Sequence, residues 1–127
     1  GSPYASDLLY HQDLTALAAA SPNFRYITAI SRERQEDGGR PMYVHERLAA
    51  DREELVPMLR SERTLVYVCG IAGMELGVMQ TLAALLAESE REQYLRVDSA
   101  AGPRESWDRK MLNKTLHPTR RVFLEVY

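Results

Sequence analysis

The sequence predicts an α/β fold built around a largely parallel sheet, and three observations support this class. Helical and strand patterns alternate along the 127 residues, an order typical of parallel sheets with crossover helices. Residues 64–69, TLVYVC, are apolar on both faces, as a central parallel strand must be. The closing run 121–127, RVFLEVY, has the two-residue alternation of a strand with two distinct faces.

The first third of the chain predicts one helix and one strand. A helix is expected from residue 6 or 7 to residue 20, because Leu14, Leu17 and Ala18 recur at helical spacing before the sequence SPN. Residues 24–30, FRYITAI, then have the composition of a strand.

A polar loop and a second helical segment follow that strand. Residues 31–42, SRERQEDGGRPM, predict a loop that leaves the carboxyl end of the strand, where open α/β sheets bind ligands. Helical spacing resumes at Val44, Leu48, Leu55 and Leu59. Within this segment Asp51 and Glu54 predict a capping box, and Pro57 predicts a kink.

The segment after residues 64–69 combines a glycine turn with the clearest helix. Gly70 and Gly73 allow a ligand to approach the backbone at the helix start. The predicted inward stripe of this helix is Met74, Gly77, Val78, Thr81, Leu82 and Leu85. Residues 89–120 are the least regular part, where Trp107, Met111 and Leu112 predict a helix after Pro103.

Composition limits the classes of function. The net charge is -2, and no five consecutive residues carry like charge, so no nucleic acid or anionic membrane partner is expected. The single cysteine, Cys69, excludes an internal disulfide and a cysteine-rich metal site, and it favours a reducing, cytoplasmic location. The apolar runs are too short for a membrane span. Residues 1–2 are interpreted as a tag remnant, residues 3–127 as the domain, and the native N-terminus as missing.

Three stretches together carry a resemblance to a known family. They are SPNFRYITAISRE with GGRPMYVHERLA, then VYVCGIAGMELGVMQ, and finally VFLEVY. In order and spacing they resemble the C-terminal NADP-binding part of the plant-type ferredoxin-NADP reductase family, over nearly the whole chain except residues 88–118. The resemblance implies a partial doubly wound, Rossmann-like parallel sheet with flanking helices, truncated at the N-terminus. Such a domain has about five parallel strands, and the sequence predicts fewer.

The resemblance also implies an activity. The full-length enzyme would transfer hydride between NADPH and FAD, and electrons to or from ferredoxin or a similar iron-sulfur or flavin carrier. FAD would be held mainly by an absent N-terminal domain, so this fragment alone is expected to be inactive. The alternatives are the reductase component of an oxygenase and a non-catalytic α/β nucleotide-binding or interaction module.

The loop after residues 24–30 is the candidate phosphate site. By residue type, Ser31, Arg32 and Arg40 can present a hydroxyl and two guanidinium groups to a phosphate, although a solvated loop is favoured on residue type alone. The resemblance implies that Ser31 and Arg32 bind the 2'-phosphate of NADP and that Tyr43 stacks on the adenine. The family's second basic residue lies two positions before this tyrosine, where this chain has Pro41, so Arg40 is expected to substitute for it.

The glycine turn is the candidate nicotinamide site. Taken alone, Cys69 is interpreted as a small packing residue at the end of a buried strand. The resemblance implies instead that Cys69 lies against the nicotinamide and helps to aim its hydride, a positional role that needs no thiolate. Gly70, Ile71 and Gly73 would line the same end of the dinucleotide.

The closing strand carries the last two candidates. Glu125 and Tyr127 lie two residues apart and therefore share a strand face, which by itself predicts only an edge strand. The resemblance implies that Tyr127 stacks over the flavin ring in the place that the nicotinamide must take. It also implies that Glu125 interacts with the nicotinamide and Cys69 and can relay a proton. In this chain the Tyr127 ring is expected to be exposed, mobile or covered by a neighbouring molecule.

Overall fold

The structure, a computed structural model, describes all residues from 1 to 127, and these form two compact units, Gly1–Arg47 and Leu48–Tyr127. Helices and a parallel strand pair confirm the predicted α/β class. The longest helix has 12 residues, and no helix combines the length and apolar character needed to cross a bilayer.

The first unit begins with a short 3-10 turn, Ala5–Asp7, followed by α1, His11–Ala20. The predicted helix start at residue 6 or 7 was therefore wrong. Tyr10, directly before α1, has a left-handed φ of 56°, a conformation that interrupts a right-handed helix. The helical spacing read from the sequence belongs to the part after this break.

The strand predicted over residues 24–30 does not form a ladder. Only Ile30 makes a bridge, parallel to Ser2, and its carbonyl also accepts the Met42 N–H at 2.8 Å. A strand requires a hydrogen-bonded neighbour along its length. Within this unit most of the segment has none, so the prediction of a regular strand was wrong.

The helical segment after the loop consists of α2, Val44–Ala50, and α3, Arg52–Leu59. The interruption falls at Asp51, whose φ and ψ of -91° and 20° are not helical, and Pro57 lies inside α3. The Asp51 side chain does not cap α3, so the capping box predicted for Asp51 and Glu54 was wrong.

The second unit contains the parallel strand pair. The strand β1, Val66–Gly70, pairs in parallel with the C-terminal strand, Val122–Val126, with Val66 opposite Val122 and Gly70 opposite Val126. Val68 is buried whereas Tyr67 is exposed, so the prediction that both faces of β1 are covered was correct for one face only. The strand predicted at the end of the chain is confirmed.

The helix α4, Met74–Leu85, supplies much of the core. Val78 and Leu82 are buried as predicted, but Glu75 and Met79 are buried as well. The buried stripe is therefore rotated from the predicted one. A short helix, α5, follows at Glu88–Arg91.

The remaining residues add an antiparallel pair, β2, Leu95–Val97, with β3, Leu116–Pro118, so that the closing strand is β4. The helix predicted after Pro103 is absent, because two 3-10 turns, Arg104–Ser106 and Arg109–Met111, take its place. Between them Trp107 has an extended conformation and is buried, which interrupts any continuous helix.

Candidate functional site

The loop of the first unit presents one unpaired arginine. The Arg32 side chain is exposed, and only its backbone N–H is engaged, donating to the Pro3 carbonyl at 2.9 Å. Ser31 is half-buried, with its hydroxyl 3.5 Å from the Ser2 carbonyl oxygen. A guanidinium without a carboxylate partner, next to a hydroxyl, is suited to bind a phosphate.

The second predicted arginine of this loop is already paired. The Arg40 guanidinium donates to Glu46 Oε1 at 2.9 Å, while Glu46 Oε2 accepts the Tyr43 backbone N–H at 2.8 Å. The hydrogen bond from Tyr43, followed by that from Arg40, lowers the pKa of the Glu46 carboxyl. Glu46 was not predicted from the sequence, although an acidic residue in the first turn of a helix is a known capping signal.

The predicted adenine-stacking residue has an accessible ring. Tyr43 is 62% exposed, and its ring lies parallel to that of His45, with centroids 5.8 Å apart and 8° between the planes. Aromatic rings favour offset parallel stacks, so a planar base can extend this pair.

In the second unit, Cys69 and Glu125 are register partners in the β1–β4 pair. Both side chains are exposed, and alternation puts them on the same face as Tyr67 and Phe123, whose rings stack at 4.6 Å. The interpretation of Cys69 as a packing residue was therefore wrong. A thiol and a carboxylate are instead presented side by side on an open sheet face.

Tyr127 has a fixed backbone and an exposed ring. Its N–H donates to the Gly70 carbonyl at 3.1 Å, and its carbonyl accepts the Ala72 N–H at 2.9 Å. The ring is 83% exposed, as expected from the sequence. Chain ends usually fray, but these two hydrogen bonds hold this residue against the glycine turn.

The turn after β1 depends on its glycines. Gly70 and Gly73 have φ values of 154° and 106°, both in the region that favours glycine. Ile71, between them, is 70% exposed. The backbone of this turn is consequently open to a ligand.

Glu75 occupies the N-terminus of α4. Its side chain is 1% exposed, and its carboxylate accepts hydrogen bonds from Arg109 Nε at 2.7 Å and from the Gly73 N–H at 2.6 Å. Burial opposes ionisation, but these hydrogen bonds outweigh it and lower the pKa of the Glu75 carboxyl. A helix N-terminus whose N–H groups already bind the helix's own carboxylate is a poor site for a phosphate.

Two residues that the sequence did not single out thus shape the two sites. In the second unit the Glu75 carboxylate accepts the Gly73 N–H at the N-terminus of α4. In the first unit the buried side chain of Gln35 is hydrogen-bonded to both ends of the loop. The signal available for Glu75 was an acidic residue in a first helical turn. A glutamine inside a polar loop carries no such signal.

These features are typical of one class of protein, the dinucleotide-binding α/β domains, in which a polar loop and a glycine turn follow the carboxyl ends of strands. The family model described as the oxidoreductase NAD-binding domain matches residues 1–80. The chain belongs to this family.

Comparison with curated proteins bears out the resemblance to ferredoxin-NADP reductases. The chain is 40% identical over 93 residues to ferredoxin-NADP reductase of Synechocystis sp., which covers 72% of the chain and 22% of that protein. It is 39% identical over 89 residues to leaf isozyme 1 of Oryza sativa subsp. indica, covering 69% and 25% respectively. The leaf-type isozyme of Nicotiana tabacum is 38% identical over 99 residues, covering 77% and 26%. The chain therefore spans about a quarter of the length of these relatives.

Proposed function

We propose that this chain is the NADP(H)-binding part of a flavin-dependent ferredoxin-NADP reductase of the cytoplasm. The complete protein would transfer hydride between NADPH and FAD and exchange electrons with ferredoxin or a similar carrier. The observation that carries the proposal is the exposed Arg32 guanidinium, which has no side-chain partner and belongs to the residue that follows Ser31. Relatives named ferredoxin-NADP reductase support it.

In the first unit each residue has a distinct role. Arg32 and Ser31 bind the 2'-phosphate directly, and Tyr43 stacks on the adenine. Arg40 contributes less, because it must first be released from Glu46. Surface ion pairs of this kind contribute about 0.2–1 kcal/mol, so binding of a dianionic phosphate can offset the loss of the Arg40–Glu46 pair.

In the second unit the residues position the reacting ring. When bound, the nicotinamide supplies a hydride to the flavin. The Gly70, Ile71 and Gly73 backbone lines the ring. Cys69 would lie against the nicotinamide ring and help to set the distance between that ring and the flavin. Glu125 holds the carboxamide and can move a proton at its carboxylate. The Tyr127 ring would stack on the flavin and occupy the place that the nicotinamide takes.

The test is calorimetric binding of 2',5'-ADP and of 5'-AMP to the full-length gene product. A charge-assisted hydrogen bond is worth about 1.5–3 kcal/mol, so 2',5'-ADP should bind about tenfold or more tightly than 5'-AMP. NADPH should also reduce bound FAD faster than NADH does. Equal binding of the two nucleotides would refute the 2'-phosphate assignment. Nucleotide binding without flavin reduction would instead favour the non-catalytic module.

Tyr127→Ala is expected to change nicotinamide choice more than stability. The ring is 83% exposed, and the substitution retains both backbone hydrogen bonds, so thermal unfolding should shift little. Loss of the covering ring should tighten NADP binding and raise the rate with NADH. The measurements are coenzyme affinities by calorimetry and NADH-dependent turnover.

Tyr67→Ala provides the matched control, because Tyr67 is an exposed tyrosine on the same sheet face. It should leave the coenzyme affinities unchanged. If Tyr127→Ala left both coenzyme affinities and turnover unchanged as well, Tyr127 would be only the end of a strand.

A further inference from the structure

We propose that Gln35 is the positioning residue of the 2'-phosphate subsite, holding the loop of residues 31–40 in the conformation that presents Ser31 and Arg32. The inference rests on the proposed function. It assigns no ligand contact to Gln35, which acts through the backbone of its neighbours.

The Gln35 carboxamide is buried and bonded at both ends. The residue is 4% exposed. Its Oε1 accepts the Ile30 N–H at 2.9 Å, and its Nε2 donates to the Ile30 carbonyl at 2.7 Å and to the Arg40 carbonyl at 3.1 Å. One planar amide therefore satisfies three backbone groups.

The bonds to Ile30 do part of the work of a neighbouring strand, because Gln35 is the partner of the Ile30 N–H and shares the Ile30 carbonyl with the Met42 N–H. In a ladder the N–H and C=O of one residue pair with an adjacent strand, and here a side-chain amide pairs with both groups, beside the Met42 N–H that also donates to the C=O. Ile30 directly precedes Ser31 and Arg32, so these bonds orient the start of the loop. The bond to Arg40 joins the other end of the loop to the same amide.

Two further contacts keep the amide in this position. Arg47 Nη2 approaches Gln35 Oε1 at 3.5 Å, while Arg47 Nε donates to the Thr28 carbonyl at 3.0 Å. The Gln35 backbone closes the loop itself, since its N–H donates to the Gly39 carbonyl at 3.0 Å and its carbonyl accepts the Gly38 N–H at 2.9 Å. The side chain and the backbone thus act on the same loop.

This arrangement predicts a selective effect on phosphate recognition. The 2'-phosphate requires the Ser31 hydroxyl and the Arg32 guanidinium to converge, and hydrogen bonds weaken steeply as their geometry is lost. Stacking on Tyr43 tolerates small displacements and lies outside residues 31–40. Loss of the Gln35 amide should therefore weaken binding of 2',5'-ADP and spare binding of 5'-AMP.

The experiment compares Gln35→Met and Gln35→Asn with wild type in the full-length gene product. Methionine retains the length of the side chain and removes every polar atom, whereas asparagine keeps the amide on a shorter stem. Gln35→Met should weaken 2',5'-ADP binding about tenfold, the effect of one charge-assisted hydrogen bond, and change 5'-AMP binding less than about twofold. Gln35→Asn should show a smaller loss in the same direction. Gln12→Met on the exposed surface of α1 is the matched control and should alter neither affinity.

Each outcome supports or overturns the proposal. An unchanged ratio of the two affinities in both variants overturns it, whether the affinities stay equal to wild type or fall together. If circular dichroism shows that Gln35→Met does not fold, the ratio of the 2',5'-ADP and 5'-AMP affinities of Gln35→Asn alone tests the proposal. If wild type itself does not distinguish the two nucleotides, the proposed function fails, and that result is separate from a failure at Gln35.

Discussion

Glu75→Gln is expected to lower the free energy of unfolding by about 2 kcal/mol, the range of hydrogen bonds to a charged group. Glutamine has nearly the shape of glutamate but cannot match its charge to Arg109, whose Nε lies 2.7 Å from the carboxylate. The side chain is 1% exposed, so water cannot replace the lost interaction at the carboxylate end. Urea unfolding followed by circular dichroism measures the change.

The same substitution should alter the dependence of stability on pH. The pKa of Glu75 in the folded chain is lowered, whereas that of an unfolded glutamate is about 4.3. The contribution of the Glu75 carboxylate to stability is therefore present above about pH 4.3, and it is lost as the pH falls through the pKa of Glu75 in the folded chain. The difference in unfolding free energy between wild type and Glu75→Gln should be constant near neutral pH and should shrink in acid.

Glu105→Gln is the matched control for both measurements. Glu105 also lies beside an arginine, with Arg104 Nη2 at 2.8 Å, but its side chain is 71% exposed. A backbone hydrogen bond and then Arg104 lower the pKa of the Glu105 carboxyl too, but exposed pairs contribute little, so this variant should stay much closer to wild type than Glu75→Gln across the pH range. Equal stability of Glu75→Gln and Glu105→Gln would show that the Glu75–Arg109 pair does not stabilise the fold.

Arg32→Met is expected to weaken 2',5'-ADP binding by about 10- to 100-fold, because it removes charge-assisted hydrogen bonds to a dianion. Binding of 5'-AMP should hardly change. Arg40→Met should cost less, since Arg40 is held by Glu46 before the ligand binds. Calorimetric titration of the full-length gene product with both nucleotides measures the affinity losses of the two variants.

Arg34→Met controls for the loss of a positive charge from the same loop. Arg34 is exposed, and its Nη1 donates to the Gly38 carbonyl at 3.0 Å. It should reduce 2',5'-ADP affinity only slightly, through long-range electrostatics that salt screens. If Arg34→Met lost as much 2',5'-ADP affinity as Arg32→Met, the loop would attract the phosphate by its overall positive charge rather than by a specific contact with Arg32.

Several elements could be predicted because their signals are local. Apolar valine and leucine occupy every second position of β4, and the glycine turn comes directly at the end of β1. The apolar residues of α4 recur at helical spacing within one helix. The strand predicted at residues 24–30 has equally good composition, yet it forms only one bridge. Composition makes a segment suitable for a sheet, whereas a ladder also needs a neighbouring strand.

For the candidate site, the structure shows where the predicted residues lie, and their roles stay predictions. The resemblance led to Ser31, Arg32 and Tyr43, of which Arg32 and Tyr43 are exposed in the structure and Ser31 is half-buried. It could not indicate that Arg40 is paired with Glu46, six residues away. Neither could it identify Gln35, since a polar residue in a polar loop is ordinarily solvated.

The sequence by itself therefore determined the α/β class, the family, and which residue types stand at the ends of the strands. Only the tertiary structure decided which polar side chains are buried and which charges are free. Glu75 is buried against Arg109, 34 positions later, and the Gln35 side chain accepts the Ile30 N–H that no strand pairs. The physical reason is that burial and hydrogen bonding depend on the atoms that folding brings together, and these need not be close along the chain.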